Sequence, residues 1–323
     1  MKIREMTVGS SVDTTLVMSA CNTRNTAKGK AYLDATFTDG TDEINAKMWD
    51  YKGTGTLPAT NKVYRLIATV GEYQGTKQLT LSMFSLSDTQ DMASFSKTFV
   101  DDPEKIWASL LNRISSLQND TLRKIVSTVY VRYQDMLYSA TSAKGIHHVG
   151  LYGNLAHTVE TCDFAEMIAD YANTSNYYDV PVSVDLCKAG ALLHDIGKAW
   201  TYDVDGAVIS YTQAGYMSDH IVLGIRKLYE VESLFEPEDG PIFELLAHII
   251  SSHHGKAEYG SPTSPGFAEA HIINIADGIS ATLDTLFAAN KKALDEGKSM
   301  TDKIYTLNNK EHFLQSFIAS ILK

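Results

Sequence analysis

The chain has few cysteines, few prolines and no long apolar run. Cys21, Cys162 and Cys187 are odd in number, far apart and without a CxxC pair, which excludes a disulfide framework and a thiolate zinc site. They read as reduced, mostly buried thiols. Only seven prolines in 323 residues, with 44% hydrophobic and 21% charged residues, leave little scope for disorder and ample material for packed cores. No apolar stretch approaches the roughly 20 residues needed to span a bilayer, and the opening MKIREMTVGSSVD lacks the apolar core of a signal peptide. The expectation is a globular cytoplasmic protein with no membrane partner. Its length exceeds that of one ordinary hydrophobic core, so two domains are expected.

Positive charge is also scarce. Against 39 Asp and Glu stand 28 Lys and Arg, a formal net charge of −11, which argues against broad polyanion binding. The deficit is uneven: residues 1–88 carry ten basic and nine acidic side chains, residues 89–323 carry 18 and 30. The near-neutral first part can present a local basic groove, while the acidic second part suits a bound cation.

Hydrophobic periodicity divides the chain at the same place. Residues 1–88 alternate with period two, predicting strands at Thr14 to Cys21, Lys30 to Phe37, Glu43 to Trp49, Lys62 to Glu72 and Thr76 to Phe84, with tight turns at Asp39-Gly40 and Gln74-Gly75. Five strands in this order fit a small barrel. After Asp88 the period becomes helical: Asp102-Pro103 is a helix start, and Ile106, Leu110, Ile114 and Leu117 recur at three and four. Further helices are expected over about 120–138, 150–172, 183–199, 218–231, 239–253, 267–290 and 308–322.

Histidine is concentrated rather than scattered, with eight of ten between 147 and 254. The central motif is AGALLHDIGKAW at 189–200, where adjacent His194 and Asp195 follow an apolar run and Gly197 and Lys198 come next. Two polar groups and a cation desolvated together have no packing explanation, so a metal site is expected there. Adjacent helical residues differ by about 100° in direction, so other helices must complete the shell. His157 in NLAHTVE and Asp277 in NIADGIS are the candidates, each in an otherwise apolar stretch. Such mixed nitrogen and oxygen ligands suit a divalent first-row ion. His220, with His253 and His254 beside the helix end at Gly255, can extend the site to a second ion, and Asp195 is then the natural bridging carboxylate. Lys198 reads as a phosphate contact on the same side, with Gly197 leaving room for close approach. His248, His271 and His312 read as structural.

The order H…HD…D, as His157, His194-Asp195 and Asp277, resembles the HD-domain metal phosphohydrolases over roughly residues 146–290. Within them, HHVGLYGNLAHT, ALLHDIGK, DHIVLG, SHHG with EYGSPTSP, and IADGISA resemble the YhaM type of 3′-to-5′ exoribonuclease. Those relatives usually carry Glu before the first histidine, where this sequence has Ala156. The resemblance implies a small all-β OB-type barrel over 1–90, a helical connector over 91–145, and an all-α HD-domain helical bundle over 146–323. It also implies a site able to hold one or two divalent ions, Mn2+ foremost, with Mg2+, Co2+, Fe2+, Ni2+ or Zn2+ as alternatives. His220 and one of His253 and His254 would be added ligands.

The activity so implied is 3′-to-5′ hydrolysis of single-stranded RNA, with DNA as a second candidate, by metal-activated water. Asp195, Lys198 and His148 are the expected catalytic residues. His147, Lys198, Tyr259 and Ser261 are expected to contact substrate at the site, and a homo-oligomer is a family expectation. On the barrel, Tyr32, Lys47, Trp49, Arg65, Tyr73 and Lys77 are candidates for stacking bases and pairing phosphates, because Asn45, Lys47 and Trp49 share the face opposite Ile44, Ala46 and Met48. The plainer alternative is that Trp49 plugs the barrel. Two other functions fit the same residues: an HD-type nucleotide or nucleoside-phosphate phosphohydrolase, and a non-catalytic single-strand binding protein.

Overall fold

The computed structural model describes residues 1–51, 56–175 and 179–322. They form two compact units, the first made of Met1–Lys97 and Asp203–Ser210, the second of the rest.

In the first unit, strands β1 (Ser11–Asn25), β2 (Ala31–Thr38), β3 (Glu43–Met48), β4 (Val63–Tyr73) and β5 (Thr76–Leu86) close into a barrel in the order β1-β2-β3-β5-β4. All neighbours are antiparallel except β3 and β5, which run parallel. This is an OB-type barrel. Period-two alternation sends Leu16, Leu33, Phe37, Ile44, Leu66 and Leu79 into its core. Register shifts at Met18/Ala20 and Ile67/Ala68 let the long strands bend around so small a barrel. The expected turns are present, with Gly40 at φ +89 and Gly75 at φ +77, the left-handed region that glycine enters without a Cβ penalty.

The second unit contains α1 (Pro103–Ser115), α2 (Asp120–Arg132), α3 (Gln134–Ser139), α4 (Gly153–Thr174), α5 (Val184–Leu193), α6 (Lys198–Thr201), α7 (Gln213–Glu232), α8 (Gly240–Ser252), α9 (Ala268–Asp295) and α10 (Gln315–Ile321). Side chains of Asp102, Asn119, Ser183 and Thr212 cap the starts of α1, α2, α5 and α7 by accepting backbone N–H groups. Cys162 and Cys187 are free and buried in this unit.

Several expectations need correction. Residues 91–145 are not a separate connector: Leu110, Ile114, Leu117, Leu122, Ile125 and Val129 of α1, α2 and the turn between them join the same core as α4, α5, α8 and α9. The helix expected over 120–138 breaks at Tyr133, and that over 308–322 shrinks to α10 because Ile304 pairs with Lys310 and Met300 with Phe313. The second half of the chain is also not wholly helical. A hairpin of β6 (Tyr202–Asp205) and β7 (Val208–Tyr211) turns at Asp205-Gly206, with Gly206 at φ +60. Finally, α9 is long and apolar enough to cross a membrane by length and composition. It packs instead on α4, α5 and α8 and carries Asp277 and Ser280 on that side.

Candidate metal centre

The helix expected over 183–199 stops at Leu193. Residues 194–197 form a turn before α6 that keeps helical dihedrals at His194 and Gly197, and the two side chains converge at their tips, Asp195 Oδ2 lying 3.3 Å from His194 Nε2. The tightness of this turn depends on Gly197. A Cβ there would lie 1.9 Å from His220 O, so the glycine admits the backbone of α7, not a phosphate as its position in the sequence suggested. Asn154 of α4 fastens the turn from the other side, its Nδ2 donating to Asp195 O at 3.2 Å.

Around this turn α4 brings His157, α9 Asp277, α7 His220, and the C-terminal end of α8 His253. Asp195 lies between two groups of ring nitrogens and is 1% exposed. Its Oδ2 is 3.3 Å from both His157 Nε2 and His194 Nε2, while its Oδ1 is 3.5 Å from both His220 Nε2 and His253 Nε2. Asp277 Oδ1 is 3.1 Å from His157 Nε2 and 3.9 Å from His194 Nε2. Lys198 Nζ is 2.5 Å from Asp195 Oδ2 and 3.4 Å from Ser142 Oγ.

The outer ring nitrogens determine what the inner ones offer. His194 Nδ1 lies 2.7 Å from Ala191 O and His253 Nδ1 2.8 Å from Ile250 O; a carbonyl only accepts, so each Nδ1 carries the proton and each neutral ring presents a bare Nε2. His220 Nδ1 faces the Asp219 carboxylate with the same result. Asp219 adopts φ +60, ψ 162 inside α7, a conformation disfavoured for non-glycine residues, and the resulting kink aims the imidazole inward. Asp195 Oδ1, His220 Nε2 and His253 Nε2 are therefore three converging acceptors, buried and without a hydrogen-bond donor. Acceptors alone repel and lose their hydration, and a cation among them removes both costs. The donor set of imidazole and carboxylate fits a divalent ion.

Electrostatics agree. Burial opposes ionisation of Asp195, but the Lys198 ammonium outweighs it and holds the carboxyl well below its usual range; at Asp277 burial likewise loses, to the hydrogen bond with His157. Burial lowers His253, and burial together with His253 lowers His254 to about 4, keeping both neutral as ligands must be. Burial would also lower His157, yet the Asp195 and Asp277 carboxylates raise it on balance, so a proton and a cation compete for the same nitrogen.

His157, His194 and Asp277 each place one ligand atom within 4.8 Å of the others, as do His220, His253 and His254. Of the adjacent pair, His253 is the one facing Asp195; His254 Nδ1 instead lies 2.8 Å from Tyr259 O. Tyr259 thus approaches through its carbonyl, its ring 65% exposed, and Ser261 is buried. His148, expected to be catalytic, is held in hydrogen bonds to its neighbours. It is buried, its Nε2 lies 3.1 Å from Glu160 and its Nδ1 meets His147 Nδ1 at 3.2 Å. Ser280, 3.0 Å from His157 Nδ1, went unnoticed in the sequence, as did Glu160, Asn154 and Asp219. The available signal was helical spacing: Ser280 follows Asp277 by three, Glu160 follows His157 by three, and Asn154 precedes it by three.

On the barrel, Lys47 Nζ lies 5.7, 5.6 and 5.3 Å from the ring centroids of Tyr32, Trp49 and Tyr73. Tyr32 and Trp49 are 4.9 Å apart. Trp49 is 47% exposed, so it does not plug the barrel. Arg65 is set apart from this cluster by a two-pronged pairing with Asp13, and Lys77 bonds to Arg4 O.

Residues 154–282 match the HD domain family. Nearly the whole chain is similar to proteins named 3'-5' exoribonuclease YhaM: 26% identity to that of Listeria welshimeri and 27% to that of Listeria monocytogenes serovar 1/2a, each over 98% of this chain and 99% of the relative. Identity to the protein of that name from Bacillus subtilis is 26% over 96% of both chains. A domain of replication protein A from Methanococcus maripaludis, 13% identical, covers 27% of this chain and 92% of its own at a TM-score of 0.24. Residues 154–282 thus match the HD domain family, and the chain is similar nearly end to end to proteins named 3'-5' exoribonuclease YhaM.

Proposed function

We propose that this protein is a metal-dependent 3′-to-5′ exonuclease of single-stranded RNA that holds the strand on the aromatic face of its barrel. The observation carrying the reading is Asp195, whose two oxygens are divided between two groups of ring nitrogens. His157, His194 and Asp277 are assigned to one divalent ion and His220, His253 and His254 to a second, with Asp195 between them and Mn2+ as the first choice. Such ions supply Lewis acidity at phosphoryl oxygens and lower the pKa of water.

The protein contributes preorganisation. His194 and His253 are oriented by backbone carbonyls before substrate arrives, so the centre needs no rearrangement as charge develops on phosphorus. Lys198, nearly buried, keeps Asp195 ionised and adds a cation for the phosphate. Burial of the whole group strengthens these interactions by lowering the local dielectric. At the barrel, Tyr32, Trp49 and Tyr73 offer ring faces to bases, and Lys47 offers a charge to the backbone. The names of the full-length relatives support RNA as the substrate.

Gel-resolved digestion of 5′-labelled single-stranded RNA with Mn2+, comparing the intact protein with His194→Ala plus Asp195→Ala, tests the reading. A ladder shortening from the 3′ end, absent in the variant, supports it. Undegraded RNA with both proteins sinks it, and hydrolysis of mononucleotides by the wild type alone would identify a nucleotide phosphohydrolase.

A further inference from the structure

Two hydrogen-bond chains meet on one oxygen that no ligand assignment uses. Glu160, one turn after His157 on α4, accepts the Ser280 hydroxyl proton on Oε2 at 2.9 Å, and the same oxygen lies 3.1 Å from His148 Nε2. A serine hydroxyl has a single proton. Given to Glu160, it leaves Ser280 Oγ as acceptor for His157 Nδ1, 3.0 Å away. The carboxylate only accepts, so His148 donates from Nε2, and in the neutral ring its Nδ1 can only accept. The nearest neighbour there is His147 Nδ1 at 3.2 Å, with Asp284 Oδ2 at 3.9 Å, and beside a neutral His148 it is His147 that supplies the proton. With its ring proton placed on Nδ1 by that contact, His147 leaves its Nε2 bare. Both chains end alike, with a bare Nε2 on His157 and on His147, rings whose centroids are 4.9 Å apart.

We propose that Glu160 is a positioning residue that, through Ser280 and through His148, fixes His157 and His147 in the tautomer offering Nε2 to a divalent cation. The inference rests on the metal-centre reading above and adds His147 to the nitrogens available there. One ring nitrogen each from His147, His148 and His157 lies within 4.8 Å of the others. The loop carrying the pair is constrained to this end. His148 sits at φ +48, its backbone N donates to Asp284 Oδ2 at 2.7 Å, and Gly153 is required because a Cβ there would lie 1.8 Å from His148 O. Such strain persists where the surroundings over-determine it, commonly at functional sites. Packing does not account for Glu160: its side chain is 49% exposed and free to turn to solvent, yet one oxygen serves two buried partners.

The half-exposed side chain also makes the test clean, since its replacement leaves the core filled. Two variants of the full chain separate acceptor from bulk: Glu160→Leu removes the accepting oxygen and Glu160→Gln retains one. Long-range 1H–15N correlation spectra of metal-free, 15N-histidine-labelled protein read the His147 tautomer, assigned through His147→Gln. Calorimetric titration with Mn2+ alone reads affinity. The expected result is Nδ1-protonated His147 in the wild type and in Glu160→Gln, lost in Glu160→Leu. Mn2+ affinity should fall about 10- to 100-fold in Glu160→Leu and be largely kept in Glu160→Gln. Ser280→Ala should weaken Mn2+ similarly while leaving His147 unchanged. An Nε2-protonated His147 in the wild type, or a Glu160→Leu protein with unaltered tautomer and affinity, would overturn the proposal. A wild type that binds no Mn2+ overturns the metal reading itself, while the His147 spectrum still decides whether Glu160 sets the tautomer.

Discussion

On the barrel, Lys47 lies among three rings, of which Trp49 and Tyr73 are 47% and 59% exposed; in the helical unit, Asp195 and His194 are each 1% exposed and His157 and His253 fully buried. Both places combine charge with ring systems, but one is open to solvent and the other is buried. The barrel face keeps its hydration, so each side chain there adds a modest increment and the loss of one is tolerated. The buried centre has exchanged hydration for mutual contacts, so removing one member leaves the others unpaired. Exposed stacking therefore suits tolerant strand binding, whereas chemistry belongs in the buried centre.

The largest effect expected to sharpen this contrast is at Asp195. Asp195→Asn removes the charge shared by both nitrogen groups and should lower kcat on RNA by roughly a thousandfold, several kcal/mol of transition-state stabilisation, in single-turnover assays. Next is Gly197→Ala, which forces a Cβ against His220 O and should cost about 3 kcal/mol by urea denaturation, with amide exchange protection falling in α4 to α9 and holding in β1 to β5. Saturation with Mn2+ at about 100 times its Kd should add about 2.7 kcal/mol to the same helices and nothing to the barrel, by the same exchange measurement. Trp49→Ala should reverse the pattern, weakening RNA binding by about 1–3 kcal/mol in a filter assay while leaving kcat at saturating RNA unchanged. Equal effects of Trp49→Ala and Asp195→Asn on kcat would break the comparison.

The smallest effect concerns pH. His147 and His254 are lowered by burial, to about 2 and about 4, while in the unfolded chain they titrate near the ordinary value of about 6.5. Between those values the unfolded state binds more protons, so their contribution is complete above about pH 6.5 and is lost as pH falls; His157, raised, opposes it in part. Metal-free protein taken from pH 7 to pH 5 should therefore lose exchange protection in the helical unit. The barrel strands contain no histidine and should hold theirs.

The strand alternation of residues 1–88 was legible because each strand has one face in the core, so burial imposes a period of two that local sequence must display. The HD turn was legible for the opposite reason: His194, Asp195 and Lys198 contradict the apolar run that precedes them. The hairpin at Asp205-Gly206 carried its signal openly, but its strands are only four residues long, too short for alternation to emerge. Glu160 and Ser280 were hidden because a polar residue one helical turn from a ligand looks like any solvated helix face until the neighbouring helix is in place. Arg65 looked like a free cation because nothing in sequence pairs β1 with β4, and so Asp13 with Arg65.

By itself, the sequence determined the division into a barrel and a helical part, the identity of the charged groups that had to be buried together, and the helix stop at Gly255, since periodicity, desolvation and a glycine after a helix act over a few residues. Tertiary structure alone decided which oxygen of Asp195 meets which imidazoles, that His253 faces Asp195 while His254 Nδ1 meets Tyr259 O, and that Glu160 joins two hydrogen-bond chains. These are matters of direction between segments tens of residues apart, and hydrogen-bond geometry over about 3 Å is fixed only when the helices have packed.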